Sequence, residues 1–223
     1  MISARDVSKL YGRNVAVADV SIDVAAGDGI AVHGPRGCGT TTLLRLLGIW
    51  LEPSSGTIQI CGFDARRQLW QARSRISYAA SDALAGTALT VEEYLQFVTR
   101  ARGQTAPSTR DALPIAAALT LAQLRSSARV ERLAVADRAA LAMAAVVAAP
   151  TDVMLIDRAL DELDASPREA FSSWLVEAKS RGSAVIVATE EPDRDQPLFN
   201  RTLRVAAGKV IETTQRATDG APE

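Results

Sequence analysis

The sequence has 223 residues, of which 48% are hydrophobic and 23% are charged, and its formal net charge is −1 at pH 7. This composition excludes a disordered segment and supplies enough apolar side chains for the core of one domain. Charges are spread along the chain without a basic stripe, so the sequence does not favour nucleic-acid binding. The two cysteines form no CxxC motif, which argues against a disulfide framework or a metal site built on them.

The ends of the chain and its apolar runs bear on location. Charged residues interrupt the N-terminal segment where a signal peptide would be apolar, and the longest apolar run, residues 139–150, is too short to span a bilayer. We therefore expect a cytoplasmic protein without direct membrane insertion, for which any membrane role depends on a partner. Residues 1–215 are predicted to form one domain, and the polar residues 216–223 a mobile tail.

The residue pattern of the N-terminal part predicts strands on both sides of a glycine-rich loop. VAVADVSIDV (15–24) and GTIQICGFD (56–64) alternate or cluster β-branched residues and predict strands of an antiparallel sheet. Between them, GIAVHG (29–34) predicts a short buried strand that leads into GPRGCGTTT (34–42). TTTLLRLLGIWL (40–51) then has the apolar spacing of a helix. Strand, glycine loop and helix in this order form the context that a phosphate-binding loop requires.

The remainder of the chain alternates helical and strand patterns. Residues from about 88 to 149 are rich in alanine and leucine with helical periodicity, and predict an inserted helical subdomain. DVMLID (152–157) and SAVIVATE (183–190) predict buried strands, and PREAFSSWLVEAKSRG (167–182) predicts a helix between them that ends at its glycine. RTLRVAAGKVIET (201–213) predicts a closing hairpin. Apolar strands alternating with helices indicate an α/β fold with a parallel sheet covered on both faces.

The glycine loop carries the chemistry of a phosphate and magnesium site. Glycines at 34, 37 and 39 allow sharp turns and bring backbone N–H groups close to phosphate oxygens at a helix N-terminus. Thr41 would place a hydroxyl beside Mg²⁺, and Asp157 offers a carboxylate at the end of a strand for the same ion.

These motifs together resemble the nucleotide-binding domain of ABC transporters along residues 2–214. GPRGCGTTT matches the Walker A pattern, LEPSSGTIQICGFD (51–64) is similar to a stretch common to the family, VMLID matches Walker B up to Asp157, and ELD matches the D-loop at Asp164. The resemblance implies a P-loop NTPase (RecA-like) core with an N-terminal antiparallel β subdomain and an inserted α-helical subdomain. It implies ATP and Mg²⁺ as cofactors, with Tyr11 of KLYG stacking on adenine and Thr41 and Asp157 at the metal. The implied nucleotide-binding residues are Tyr11, Gly34, Pro35, Arg36, Gly37, Cys38, Gly39, Thr40, Thr41 and Thr42.

Departures from the family pattern fall at positions that carry out hydrolysis. Thr40 replaces the lysine that neutralises the β- and γ-phosphates, and a neutral hydroxyl makes weaker contacts than a charged group. Ser81 stands where the family has a glutamine that senses Mg²⁺ and the transmembrane partner. Arg158 replaces the glutamate that polarises the attacking water, and arginine cannot act as a base. Glu190 replaces the switch histidine and would repel the γ-phosphate.

The signature segment, which reads LSGGQ in the family, is also altered and here reads LAVAD (133–137). Ala134 replaces the serine that donates to the γ-phosphate bound by the partner subunit. Val135 and Ala136 replace glycines that allow close backbone approach. Asp137 is predicted to be the N-cap of the following helix, where its carboxylate would offset the positive helix end.

The resemblance leaves three functions open. The first is a catalytically impaired ATP-binding subunit on the inner face of the cell membrane, a structural or regulatory partner of a permease and of a second ABC ATP-binding subunit. The second is an ATPase of unusual mechanism, in which Arg36 or Arg158 supplies the charge that Thr40 lacks. The third is a scaffold outside transport that binds no nucleotide. We expect binding of ATP and Mg²⁺ to be weak or absent.

Arg158 and Glu190 exchange the charges that the family places at these two positions. We expect the Walker B and switch strands to flank the phosphate-loop strand, which would let the two side chains converge over the pocket. We hypothesise that they form an ion pair, directly or through Asp157, that holds both loops in a nucleotide-independent conformation. The alternative is that both side chains point separately into solvent.

Overall fold

The computed structural model describes residues 1–80, 82–103 and 127–215. Ser81, residues 104–126 within the predicted helical subdomain, and the predicted tail 216–223 lie outside the described residues. The strands are β1 (Ile2–Tyr11), β2 (Asn14–Val24), β3 (Gly29–His33), β4 (Ser55–Ile60), β5 (Phe63–Asp64), β6 (Ile76–Ala80), β7 (Val153–Asp157), β8 (Ala184–Ala188), β9 (Arg201–Ala206) and β10 (Lys209–Gln215). The helices are α1 (Thr40–Leu47), α2 (Leu69–Ser74), α3 (Val91–Ala101), α4 (Val135–Ala148) and α5 (Ala165–Ser180).

An antiparallel sheet with strand order β2-β1-β4-β5 forms the N-terminal part. The strands predicted from 15–24 and 56–64 are confirmed, with a short break between β4 and β5. Strand β1, which lies between β2 and β4 within this sheet, was not predicted. Its register shifts between Ala4 and Val7, and Asp6 has a positive φ of 49°, so the alternation of buried and exposed residues is broken along it.

A second sheet has the strand order β10-β9-β3-β8-β7-β6, and the strands from β9 to β6 pair in parallel. This order corrects one prediction: the Walker B strand β7 and the switch strand β8 do not flank the phosphate-loop strand β3. Only β8 adjoins β3 on that side, and β7 lies beyond it. The predicted arrangement was wrong because β9, from the closing hairpin, pairs with the other edge of β3.

The second sheet separates two hydrophobic cores. Ile30 and Val32 of β3 pack in the core shared with α1 and the antiparallel sheet, whereas Ala31 between them packs in the core shared with α4 and α5. Successive side chains of a strand point to opposite faces, so a strand buried on both faces is apolar throughout, as the sequence predicted. None of the helices in the described residues is long and apolar enough to cross a membrane.

Glycines end two of the helices. The helix predicted over 40–51 ends at Leu47, because Gly48 follows and Ile49 adopts a positive φ of 59°. The end of α5 at a glycine is confirmed: Gly182, with a φ of 100°, donates its N–H to the carbonyl of Lys179 at 2.9 Å. The N–H of Ser183 donates to Ala178 O at 3.1 Å, which completes a Schellman motif.

The N-terminus of α3 is capped by side chains, whereas that of α4 has no side-chain cap. Thr90 caps α3 in a capping box with Glu93. The prediction that Asp137 caps α4 was wrong: Ala134, with extended backbone angles, holds the N-cap position, and Asp137 lies in the first turn. The carboxylate still lies near the positive end of the helix there. The predicted extent of the helical subdomain, 88–149, stays a prediction.

Candidate functional site

The glycine loop between β3 and α1 lies against two neighbouring strands. A Cβ atom on Gly34 would lie 2.2 Å from the carbonyl oxygen of Val205, and one on Gly39 would lie 2.3 Å from that of Ala16. Gly39 also has a φ of 108° and is the N-cap of α1. Only glycine permits this approach and this backbone angle together. The result is a close-packed loop at the start of a helix, the geometry that binds anions.

A cavity of about 590 Å³ opens in front of this loop. Its walls include the predicted loop residues Arg36, Gly37, Gly39, Thr40, Thr41 and Thr42, together with Tyr11 and Arg158. Tyr11 is 50% exposed, and the Nζ atom of Lys9 lies 5.5 Å from its ring centroid. The tyrosine predicted to stack on adenine and the loop predicted to bind phosphate therefore line the same cavity.

Among the other predicted loop residues, Cys38 lies on the buried side of the loop. Cys38 is buried, and its carbonyl accepts the N–H of Gly208 at 2.8 Å. Its own N–H donates to the carbonyl of Pro35 at 3.0 Å. Gly34, Pro35 and Cys38 are not among the lining residues of the cavity. Their role in this geometry is to shape the loop.

Asp157 lies at the end of β7 with both carboxylate oxygens occupied by hydroxyl donors. Thr41 Oγ1 donates to Oδ1 at 3.1 Å and Tyr78 Oη donates to Oδ2 at 2.6 Å. Asp157 is only 5% exposed, and this burial raises its pKa, while the two hydrogen bonds favour the ionised form. Thr41 and Asp157 fit Mg²⁺, which uses one or two protein oxygens and fills its shell with phosphate and water oxygens.

Tyr78 was missed by the sequence analysis. Burial is the larger cause that raises the pKa of its hydroxyl, and the charge of Asp157 raises this pKa further, so Tyr78 is a neutral donor. A signal was available, since a tyrosine in a buried strand must find a hydrogen-bond partner for its hydroxyl. The sequence does not say which partner, because Tyr78 and Asp157 are 79 residues apart along the chain.

Arg158 and Glu190 are in direct contact. The Nη1 atom of Arg158 lies 2.5 Å from Oε1 of Glu190, and Arg36 Nε lies 3.4 Å from the same oxygen. Hydrogen bonds from Arg158 and then Arg36 lower the pKa of the Glu190 carboxyl. The predicted direct ion pair is confirmed, and the alternative of two separate solvated side chains is wrong. The contact with Arg36 was not predicted.

Backbone contacts fix the two loops that carry this pair. Arg158 has a positive φ of 57°, and its N–H donates to the carbonyl of Ala188 at 3.0 Å. Asp161 accepts the hydroxyl of Thr189 at 2.7 Å and the N–H of Glu190 at 2.9 Å. Asp161, which the sequence analysis did not single out, therefore joins the loop after β7 to the loop after β8.

The family model for ABC transporters matches residues 17–161, which include the glycine loop and Asp157. This chain belongs to the ABC transporter family. A Nod factor export ATP-binding protein I from Paraburkholderia xenovorans (strain LB400) is 28% identical over 216 residues, or 97% of this chain and 69% of that protein. A sulfate/thiosulfate import ATP-binding protein from Rhizobium meliloti (strain 1021) is 30% identical over 214 residues, or 94% of this chain and 58% of that protein.

Solved ABC structures share the fold. An ATP-binding subunit of an ABC transporter matches with a TM-score of 0.85 at 20% identity, covering 96% of this chain and 90% of that one. The dimeric ATP-binding cassette MJ0796 bound to ADP and Pi matches with a TM-score of 0.83 at 20% identity, covering 96% of this chain and 98% of that one. The predicted fold class, a P-loop NTPase core with an antiparallel β subdomain, is confirmed.

The predicted signature and D-loop positions of this ABC domain are not part of its cavity lining. Ala134 to Asp137 form the start of α4, where Val135 is 45% exposed. Asp164 is the N-cap of α5 and makes no side-chain capping bond. None of these residues lines the cavity described above. The geometry of the single chain does not bring them to the glycine loop.

Proposed function

We propose that this chain is a catalytically impaired ATP-binding subunit of an ABC transporter. The observation that carries the proposal is the 2.5 Å contact between Arg158 and Glu190. These are the positions at which the family has its water-polarising glutamate and its switch histidine. Arginine stays protonated and cannot activate water, and the negative charge of Glu190 opposes a γ-phosphate.

Thr40 removes a further charge from the site. Thr40 lines the cavity as the first residue of α1 and is 6% exposed, which supports the proposal that it stands in for the family's lysine. Losing one preorganised charge or donor typically costs about 10²–10³ in rate. With the lysine, base and switch residue all replaced, we expect negligible hydrolysis by this chain.

Nucleotide binding in this proposal is weak and depends on the groups that remain. The backbone N–H groups of the glycine loop would hold phosphates, and Tyr11 would stack on the base. Thr41 and Asp157 would hold Mg²⁺ together with phosphate oxygens. That ion would neutralise phosphate charge when bound.

The proposed partners are a permease and a second ABC ATP-binding subunit, with this chain as a structural or regulatory component at the inner face of the membrane. Relatives named as export and import ATP-binding proteins support a role in transport. In the family, each composite site joins the glycine loop of one subunit to the signature segment of the other. Because Ala134, Val135 and Ala136 replace the signature serine and glycines, this chain would supply a defective half to both sites.

An ATPase of unusual mechanism is the second candidate function. Arg36 and Arg158 both line the cavity and could supply the positive charge that Thr40 lacks. Neither arginine can act as the missing base, which is why impaired hydrolysis is the preferred proposal.

Phosphate release by the purified chain with Mg-ATP tests the proposal. We expect the wild-type protein and Asp157→Asn to release phosphate at the same background rate. Asp152→Asn is the matched control, since Asp152 precedes the opposite end of β7 and pairs with Arg75 at 3.1 Å. A rate ordinary for an ABC ATPase, retained in Asp152→Asn and lost in Asp157→Asn, would overturn the proposal in favour of the second candidate.

A further inference from the structure

Two arginines line the nucleotide cavity from different elements. Arg36 belongs to the glycine loop, and Arg158 follows β7. None of the residues described as lining this cavity is an aspartate or glutamate. The wall therefore combines two guanidinium groups with the N-terminus of α1, and both features favour an anionic ligand.

Glu190 pairs with both arginines and offsets one of their two positive charges. Its Oε1 atom takes contacts from both guanidinium groups, at 2.5 Å from Arg158 Nη1 and 3.4 Å from Arg36 Nε. A phosphate oxygen is the other acceptor that guanidinium groups bind in this way. The side chain of Glu190 is 47% exposed and that of Arg158 is 28% exposed, so the pair is open to exchange with a ligand.

The position of the Glu190 backbone does not depend on its carboxylate. Its N–H donates to Asp161 Oδ2 at 2.9 Å, and Thr189 is held by the other oxygen of Asp161 at 2.7 Å. The backbone of Arg158 is held by the hydrogen bond that its N–H donates to the carbonyl of Ala188. Replacing the side chain of Glu190 therefore removes the contact with the arginines and leaves the loop anchored.

We propose that Arg36 and Arg158 form a subsite for the terminal phosphates of a nucleotide, and that Glu190 blocks it as a competitor within the same chain. The subsite rests on the proposed function, because it extends the proposed nucleotide site. A bound phosphate takes over the contacts of Glu190, so the Glu190 side chain sets the affinity for polyphosphates. Ligands without a β-phosphate do not reach the arginines and are insensitive to Glu190.

Titration calorimetry at low ionic strength and without Mg²⁺ tests this subsite, with ATP, pyrophosphate and AMP as probes. Glu190→Gln is expected to bind ATP and pyrophosphate about two- to fivefold more tightly than wild type, which is the range for one partly exposed charged contact. AMP affinity is expected to stay the same. Glu191→Gln is the control for net charge: Glu191 is the next residue, is 64% exposed and pairs with Arg194 at 3.4 Å.

The arginines are tested by a second substitution. Adding Arg158→Met to Glu190→Gln is expected to remove the gain, and Glu190→Ala is expected to reproduce it. Circular dichroism melting checks that each variant is folded.

The subsite is overturned if ATP and pyrophosphate binding is unchanged or undetectable in folded Glu190→Gln and Glu190→Ala. It is also overturned if Glu191→Gln gains as much affinity as Glu190→Gln, or if AMP affinity rises as much as ATP affinity. A gain in affinity that survives the addition of Arg158→Met overturns it as well. Hydrolysis plays no part in these measurements. ATP turnover by the wild-type chain would overturn the proposed function and leave the subsite standing, whereas unchanged affinity would overturn the subsite alone.

Discussion

Asp157 is the most deeply buried carboxylate of the candidate site, and hydroxyls of Thr41 and Tyr78 donate to its two oxygens. Burial raises its pKa above the usual value of about 4. Between the unfolded and folded pKa values the folded protein binds more protons than the unfolded chain, so this group lowers stability as the pH rises through that interval. The cost of burying the charge is fully present above the folded pKa.

Replacing Asp157 removes this titration. We expect the free energy of unfolding of Asp157→Asn, relative to wild type, to increase as the pH is raised from about 3 to 7, as measured by urea denaturation at each pH. Asp28→Asn should show the opposite slope. Burial opposes ionisation of Asp28, but hydrogen bonds from Ala25 N–H and Asn200 and the charge of Arg201 outweigh it and lower its pKa. A flat or declining difference for Asp157→Asn would contradict a raised pKa.

At the scale of elements, the strand–loop–helix unit depends on how closely the loop approaches its neighbours. Gly37 and Gly39 both have positive φ angles, 79° and 108°, but a Cβ on Gly37 would meet nothing within 4 Å, whereas one on Gly39 would lie 2.3 Å from Ala16 O. The two positions therefore separate the cost of the backbone angle from the cost of crowding.

Alanine at each position measures the two costs. Gly37→Ala is expected to lower the free energy of unfolding by about 1–2 kcal/mol, the left-handed penalty. Gly39→Ala is expected to cost a further ~1–3 kcal/mol because the loop or β2 must move. Chemical denaturation of the two variants gives the difference. Equal losses would mean that the loop accommodates the added atom without displacing its neighbours.

At the scale of the whole molecule, a buried ion pair joins the helical layer to the chain after β8. The side chains of Arg168 on α5 and Asp195 are only 3% and 5% exposed, and Nη2 lies 2.7 Å from Oδ2. Arg168 also lies 3.4 Å from Asp161, the residue that anchors the Glu190 loop. The packing of α5 and the geometry of the candidate site are thereby connected.

Breaking this pair is expected to destabilise the fold as a whole. Asp195→Ala leaves a buried guanidinium without its main partner and should cost about 3–5 kcal/mol of unfolding free energy in urea. The matched control is Glu177→Ala on the same helix. It breaks an exposed pair with Arg181, whose side chains are 64% and 55% exposed, and should cost under about 1 kcal/mol. Similar losses in the two variants would show that the buried pair contributes no more than a surface one.

The sequence by itself determined the features that depend on neighbouring residues. The strand, glycine loop and helix around residues 29–47, the buried strands β7 and β8, and the glycine end of α5 all follow from short-range periodicity and from glycine's backbone freedom. Through its resemblance to the family, the sequence also singled out Thr40, Arg158 and Glu190 as candidate site positions.

Only the tertiary structure decided the strand order and the other contacts between distant residues. The register shift near Asp6 interrupts the alternation that would have indicated β1, and α4 begins at Val135, so Asp137 lies inside its first turn and not at its cap. Strand order placed β8 between β3 and β7 and β6 on the far side of β7, and the resulting contacts of Tyr78 with Asp157 and of Asp161 with Glu190 were not predicted. Such contacts depend on register and strand order, which long-range packing sets, whereas periodicity reports only what lies within a few residues along the chain.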